Sequence, residues 1–254
     1  MTTLTLLTKI YNANQLKQID KTLKLSFEGL DVEAQILGTV VDGWVQIALS
    51  GEDEGIATSY LTKNMGLCPT SLDSVNKFST LKGYVTNLKK SVEELSLDVG
   101  VFQPKSVRAT VPLHRLQAQL VDGKKTALKK VAELWGLCEN LPVSVKVDRV
   151  NKEESIIEAE LSSWQLKKYK FWQESLLDRL IVLGLSLYEI RMTMEHAQLD
   201  RDVIDVEPLG MFEHALTCKL GTDAAGLIPK IGRNLKNARF AVFNPKRLRE
   251  FLEA

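Results

Sequence analysis

The sequence predicts an α+β protein of three successive modules. These are a βαββα sandwich over residues 1–67, a five-stranded OB-type barrel over 68–163, and a helical segment with a small β module and a basic tail helix over 164–254. Three observations carry this prediction. Helical and alternating periodicities interleave in the first module. A run of three strands, a helix and two strands follows Cys68-Pro69. An aromatic, lysine-rich helical pattern opens at Trp164.

In the first module, Leu4–Ile10 reads as a buried strand. Leu16, Ile19, Leu23 and Phe27 recur at helical spacing, with Asn12 or Asn14 as cap and Gly29 as stop. Val32–Val40 and Trp44–Leu49 form a hairpin around the turn dipeptide Asp42-Gly43. Glu52, Asp53 and Glu54 place negative charge in the first turn of a second helix, which closes at Gly66.

The middle module is divided into short strands. Leu81–Leu88, Leu95–Val99 and Val107–Leu113 are the first three, with Val107, Ala109 and Val111 alternating against Arg108 and Thr110. After a turn at Asp122-Gly123, Thr126–Leu137 is a helix. Val143–Val150 and Ser155–Leu161 then form a hairpin. That order is the order of a five-stranded OB-type barrel.

Trp164–Leu199 is read as helical, with Leu176, Leu180, Leu183 and Leu187 at helical spacing and a break near Gly184. Ser186 and Glu189 make a capping box for its second part. Val203–Glu207, Glu213–Leu220, Gly226–Pro229 and Arg239–Phe243 are read as strands, and Asn244-Pro245 opens the tail helix.

Apolar residues make up 44 % of the chain and charged residues 26 %, the mix of a globular protein with a real core. No apolar run is long enough for a membrane span, and the N-terminus reads as a strand, so a cytoplasmic protein without membrane contact is expected. Cys68, Cys138 and Cys218 are dispersed and form no metal-ligand spacing; they read as small buried residues of a reducing compartment. The net charge of +1 hides an uneven distribution: −3 over residues 1–80, +5 over 81–149, −6 over 150–225 and +5 over 226–254. Two basic islands on a neutral chain suggest local anionic contacts.

Leu81-Lys-Gly-Tyr-Val-Thr-Asn-Leu, Leu95-Ser-Leu-Asp-Val-Gly and Ala109-Thr-Val-Pro-Leu-His-Arg-Leu together resemble the S1-type RNA-binding OB domain. Its Gly-x-Val strand corresponds to Gly83 and Val85, its second-strand glycine to Gly100, and its apolar-Pro pair to Val111 and Pro112. Phe102-Gln-Pro-Lys-Ser replaces the usual tight turn, and Leu95, Leu97 and Val99 stand where the second strand carries an aromatic. Gly226-Leu-Ile-Pro229 is a fainter echo of the same pattern. The Asp98-Val-Gly and Leu220-Gly-Thr-Asp-Ala-Ala-Gly blocks also resemble an uncharacterised archaeal protein family, which implies an archaeal cytoplasm and no particular activity.

The resemblance and the basic islands lead to an expected RNA-binding, non-catalytic protein of the translation or RNA-processing machinery, with RNA or a ribonucleoprotein such as the ribosome as partner. Phosphates need cations and bases need flat groups. The candidates are Lys82, Tyr84, Lys89, Lys90, His114, Arg115, Lys124 and Lys125 in the middle module. Lys230, Arg233, Lys236 and Arg239 join them from the C-terminal block. Lys82 and Tyr84, two apart on a strand, face one side. In Trp164-Gln-Leu-Lys-Lys-Tyr-Lys-Phe-Trp172, helical spacing puts Trp164, Phe171 and Trp172 near one face and Lys167, Tyr169 and Lys170 elsewhere; the segment is read either as interdomain packing or as an amphipathic basic contact to RNA or a partner.

The rival readings are a protein-interaction adaptor and, more remotely, a Mg²⁺-dependent nuclease using Asp205 and Glu207, which share one face of a strand. Gly221–Gly226 has the glycine spacing of a phosphate loop, but Leu227 and Ile228 stand where lysine and a hydroxyl are required. His114, His196 and His214 lie in no metal spacing. No cofactor, metal, catalytic residue or small-molecule substrate is therefore expected.

Overall fold

The computed structural model describes the whole chain except Arg233, Asn234, Lys236 and Asn237. It divides into two compact units, one of residues 1–74 with 100–106 and one of residues 75–99 with 107–254. No described helix is long and apolar enough to cross a membrane.

The first unit opens with β1 (Thr2–Lys9), α1 (Asn14–Ser26), β2 (Glu33–Val40), β3 (Trp44–Ser50) and α2 (Glu54–Asn64). The three strands form an antiparallel sheet in the order β1-β3-β2. Leu7 N donates to Gly66 O and Cys68 N to Thr5 O, so the chain leaving α2 occupies the place of a fourth strand beside β1. The predicted βαββα sandwich is thus a ferredoxin-like layer closed by a short bridge. Ile19, Leu23, Val45, Ile47, Ala57 and Leu61 fill the space between helices and sheet. A two-residue strand, β4 (Thr70–Ser71), pairs with the end of the next long strand at Val101 and Gln103.

The barrel is made by β5 (Thr80–Thr86), β6 (Glu94–Gln103), β7 (Val107–Pro112), β8 (Pro142–Asn151) and β9 (Ile156–Leu161). β5 pairs with β6 and β8, β8 with β9, and β7 closes the ring by pairing with both β9 and β6. The β7–β9 pair is parallel and the β5–β6, β5–β8 and β8–β9 pairs are antiparallel. This is the closed five-stranded barrel that the strand order predicts. Val85, Leu97, Val99, Ala109, Val143 and Val145 are inaccessible to solvent at its centre. Two helices lie between β7 and β8: α3 (Leu113–Leu120) and α4 (Leu128–Trp135). The second follows the predicted helix. The first falls where the sequence pattern predicts a strand end, because Pro112 ends the extended backbone and starts the turn.

The C-terminal part differs more from the sequence-based expectation. After α5 (Ser163–Glu174) come β10 (Arg179–Leu183), α6 (Leu187–His196), β11 (Val203–Pro208), β12 (Glu213–Cys218), α7 (Ala224–Gly232), β13 (Arg239–Phe243) and α8 (Pro245–Glu253). The stretch around Leu180 and Leu183, predicted as helix, is the central strand of a four-stranded sheet ordered β11-β12-β10-β13. Every residue of β10 is buried, so the strand has apolar groups on both faces and shows no alternation. Gly226–Pro229, predicted as a strand, belongs to α7, so the fainter echo of the S1 pattern has no barrel strand behind it. The result is a second βαββαβ layer. Ser186 and Glu189 do form the predicted capping box, with Ser186 N donating to Glu189 Oε2 at 2.8 Å.

One face of this sheet packs Leu180, Val182 and Leu216 against Ile190, Leu227 and Ile231 of α6 and α7. The other face carries Arg179 and Phe243 toward α4 and α5, where Trp135, Tyr169, Trp172 and Phe243 meet with centroid separations of 5.0–5.7 Å. Aromatic pairs at these distances add stabilisation beyond their buried area.

Candidate nucleic-acid interface

Helix α5 leaves the last barrel strand at Ser162, whose hydroxyl accepts the amide of Gln165 at 3.1 Å and meets Ser144 Oγ at 2.9 Å. Gln165 Oε1 accepts Ser144 N at 3.1 Å, so the helix start is pinned to β8. These polar groups fix the rotation of the helix. Gln165, Tyr169 and Trp172 turn inward, and Trp164, Lys167, Lys170 and Phe171 turn outward. Trp164 is 61 % exposed and Phe171 64 % exposed.

The two exposed rings rest on largely buried cations. Lys168 Nζ lies 5.3 Å from the Trp164 centroid and 5.2 Å from that of Trp172. The Arg179 guanidinium lies 5.1 Å from Trp172 and 5.8 Å from Phe171. The order Trp164, Lys168, Trp172, Arg179, Phe171 alternates ring and cation throughout. Burial pushes the Lys168 pKa down, and the hydrogen bond and charge of Glu207 oppose that push. Glu207 also accepts Trp172 Nε1 at 2.9 Å while pairing with Lys168 at 2.8 Å. Arg179 donates to Trp172 O, Ser175 Oγ and Leu177 O at 2.9–3.2 Å. Glu207 is therefore engaged in holding Lys168 and Trp172, which separates it from the metal-binding pair suggested with Asp205. No group of three or more His, Cys, Asp or Glu among the described residues is placed to hold a metal ion.

The predicted site residues do not form one surface. Lys82 and Tyr84 do share a face of β5, but the turn between β11 and β12 covers it. Lys82 Nζ donates to Leu209 O at 2.6 Å, and Tyr84, 1 % exposed, places its hydroxyl 3.4 Å from Glu213 Oε2. Burial lowers the Lys82 pKa and the Glu213 charge raises it. Tyr84 thus belongs to an interior contact and presents no ring to a base. Arg115 pairs with Asp148 at 2.5 Å and lies 3.8 Å from Glu160. Lys124 donates to Phe251 O and Leu252 O, the open carbonyls at the end of α8. Lys230 pairs with Asp202 at 3.0 Å. Arg239 is exposed on β13, the strand at one end of the sheet order. Arg233 and Lys236 lie outside the described residues.

Lys89, Lys90, His114 and Lys125 remain exposed. Lys89 and Lys90 ride on the loop between β5 and β6. Leu113 N donates to Glu93 O at 2.7 Å, which brings the start of α3, with His114, to the same loop. A groove of about 600 Å³ between α4, β13 and α8 is lined by Lys130, Glu133, Arg247 and Glu250 among others. Its charges alternate in sign and offer no continuous path to a phosphate backbone.

His214 is 1 % exposed on β12, its Nδ1 has no hydrogen-bond partner, and burial holds its pKa down to about 4. The unfolded chain takes up this proton near pH 6.5 and the folded chain only near 4. The stabilising contribution of a neutral His214 is complete above pH 6.5 and falls as pH drops toward 4, by up to about 3 kcal/mol. Urea midpoints measured across that window should show the loss, and His214→Leu should flatten the dependence.

The helical spacing groups Trp164, Phe171 and Trp172 on one face and sets Tyr169 apart; the structure instead buries Trp172 beside Tyr169 and leaves Trp164 and Phe171 outside. Sequence reasoning misses Arg179, because one arginine between Leu177 and Leu180 gives no periodic signal. Among solved structures, the uncharacterized protein MJ1198 from Methanocaldococcus jannaschii is 16 % identical over 35 % of this chain and 95 % of its own, with a TM-score of 0.24. The a/eIF2alpha–aDim2p–rRNA complex from Pyrococcus horikoshii matches at 14 % identity over 49 % of this chain and 64 % of that one, with a TM-score of 0.27. The intact alpha subunit of aIF2 from Pyrococcus abyssi matches at 11 % identity over 66 % of this chain and 96 % of that one, also at 0.27. No curated protein matches. The DUF2110 N-terminal domain model matches residues 3–71, the central domain model residues 75–173 and the C-terminal domain model residues 177–243. With all three domains present in order, the protein belongs to the DUF2110 family.

Proposed function

We propose that the protein binds RNA and catalyses no reaction on it, acting within the translation or RNA-processing machinery. The observation that supports this reading is the loop between β5 and β6 of the closed barrel. It projects Lys89 and Lys90 into solvent beside His114. In OB-type barrels the corresponding loop is one of those that grip oligonucleotides. Neither lysine has a carboxylate partner among the ion pairs of the described residues, so each is available to a phosphate. Lys125, exposed on the α3–α4 connection, extends the cationic surface.

The test is a double charge reversal, Lys89→Glu with Lys90→Glu. Removing one phosphate interaction with a single strand lowers the slope of log K against log salt by about 0.7. The double variant should therefore bind RNA roughly tenfold more weakly at low salt, with a slope reduced by about 1.4. Unchanged affinity and slope would remove this loop from the interface.

A further inference from the structure

The barrel's own aromatic on β5, Tyr84, is buried against Glu213, so base recognition has to be sought elsewhere. We infer that the outer ridge of α5, Trp164 with Phe171 and Lys167 between them, is a stacking platform for unpaired RNA bases. This rests on the reading of the protein as RNA-binding and names the form of RNA that it takes.

Trp164 and Phe171 are seven residues apart, two turns of helix, and so stand in line about 10 Å from one another along the axis. Large rings left 61 % and 64 % exposed in line are unusual on a surface that serves only packing. Their inner sides are backed by Lys168, held by Glu207, and by Arg179, held by Trp172 O, Ser175 Oγ and Leu177 O. The rings are thereby oriented before any ligand arrives, which lowers the ordering cost of binding. Lys167 stands exposed between them, so a cation for phosphates accompanies flat faces for bases; Lys170 beside it pairs with Glu174 at 3.8 Å on the surface.

The chemistry favours nucleic acid over a protein partner. Protein interfaces bury contiguous apolar cores that are depleted in lysine, whereas this ridge interleaves lysine with aromatic rings. Rings in this arrangement reach bases only when they are unpaired and splayed from their neighbours, since a duplex hides base faces within its stack. Recognition by stacking is tolerant of sequence, because every base has a flat face.

The test uses the full chain with two probes, a short oligouridylate and an RNA hairpin of similar length. Trp164→Ala with Phe171→Ala changes two exposed side chains and should leave the urea midpoint in place. It should weaken oligouridylate binding by roughly 20-fold or more while leaving hairpin binding unchanged. Trp164→Phe with Phe171→Tyr, which keeps both rings, should restore binding. In the wild type, binding of the oligonucleotide should quench tryptophan fluorescence. Unchanged oligouridylate affinity in the alanine variant, including a case where only association with another protein is abolished, overturns the platform and leaves the RNA-binding reading standing. An equal weakening on the hairpin overturns the restriction to unpaired bases. A wild-type chain that binds neither probe overturns the RNA-binding reading itself, and the platform with it.

Discussion

Gly83→Val lowers the stability of the barrel unit by about 3 kcal/mol. The reason is local and steric. A Cβ at Gly83 would lie 2.7 Å from Val99 Cγ1 and 3.0 Å from Asp98 O. Val99 is completely buried, and Asp98 O belongs to the neighbouring strand of the barrel wall. Neither can withdraw without moving β6, so the added side chain has to displace backbone. The same close approach explains the Gly-x-Val pattern at Gly83 and Val85: the glycine lets β5 and β6 close over a narrow interior, and Val85 fills it. The destabilisation is measured by urea denaturation followed by tryptophan fluorescence. Trp135, Trp164 and Trp172 report on this unit and Trp44 on the other. A Gly83→Val chain whose barrel unfolds at the wild-type midpoint would contradict the packing described for β5.

Arg179→Ala should cost a similar amount, about 3 kcal/mol or more, through a different mechanism. Arg179 is 2 % exposed, and its Nη1 satisfies two carbonyls and a hydroxyl at the end of α5. Truncation removes the Arg179 donor from the half-buried Ser175 Oγ and Leu177 O, leaves the buried Trp172 carbonyl with the Ser175 hydroxyl alone, and removes the cation between Trp172 and Phe171. Arg179→Lys should recover only part of the stability, because an ammonium cannot keep the flat fork between two rings while reaching the same acceptors. Without its backing the Phe171 ring loses its fixed orientation, and oligouridylate binding should weaken even at temperatures where the variant is folded. A variant as stable as the wild type would show that the guanidinium contributes nothing net to the C-terminal layer.

How much of the structure is legible in the sequence depends on how local each determinant is. The barrel is readable because Val107, Ala109 and Val111 alternate against Arg108 and Thr110, and because turn residues separate its strands. Strand β10 is not, since Arg179–Leu183 is buried on both faces and the spacing of Leu176, Leu180, Leu183 and Leu187 happens to fit a helix. Helix α7 is missed for the opposite reason: Gly226 and Pro229 look like breakers, yet both sit within it. Alternation places Lys82 and Tyr84 correctly on one face of β5. What covers that face is Leu209 and Glu213, more than a hundred residues later, and no local pattern announces them. For Arg115 and Lys124 the sequence shows cations but not their partners, Asp148 and the carbonyls of Phe251 and Leu252. Lys89, Lys90, His114 and Lys125 stay exposed because they occupy turns and helix starts.

Titration of the wild-type protein with a short oligouridylate across a salt series shows whether the chain binds RNA through its exposed surface cations. The expected result is measurable binding at low ionic strength that weakens steeply and linearly in log salt, as released counterions require. Absence of binding at low salt, or an affinity indifferent to salt, would contradict it.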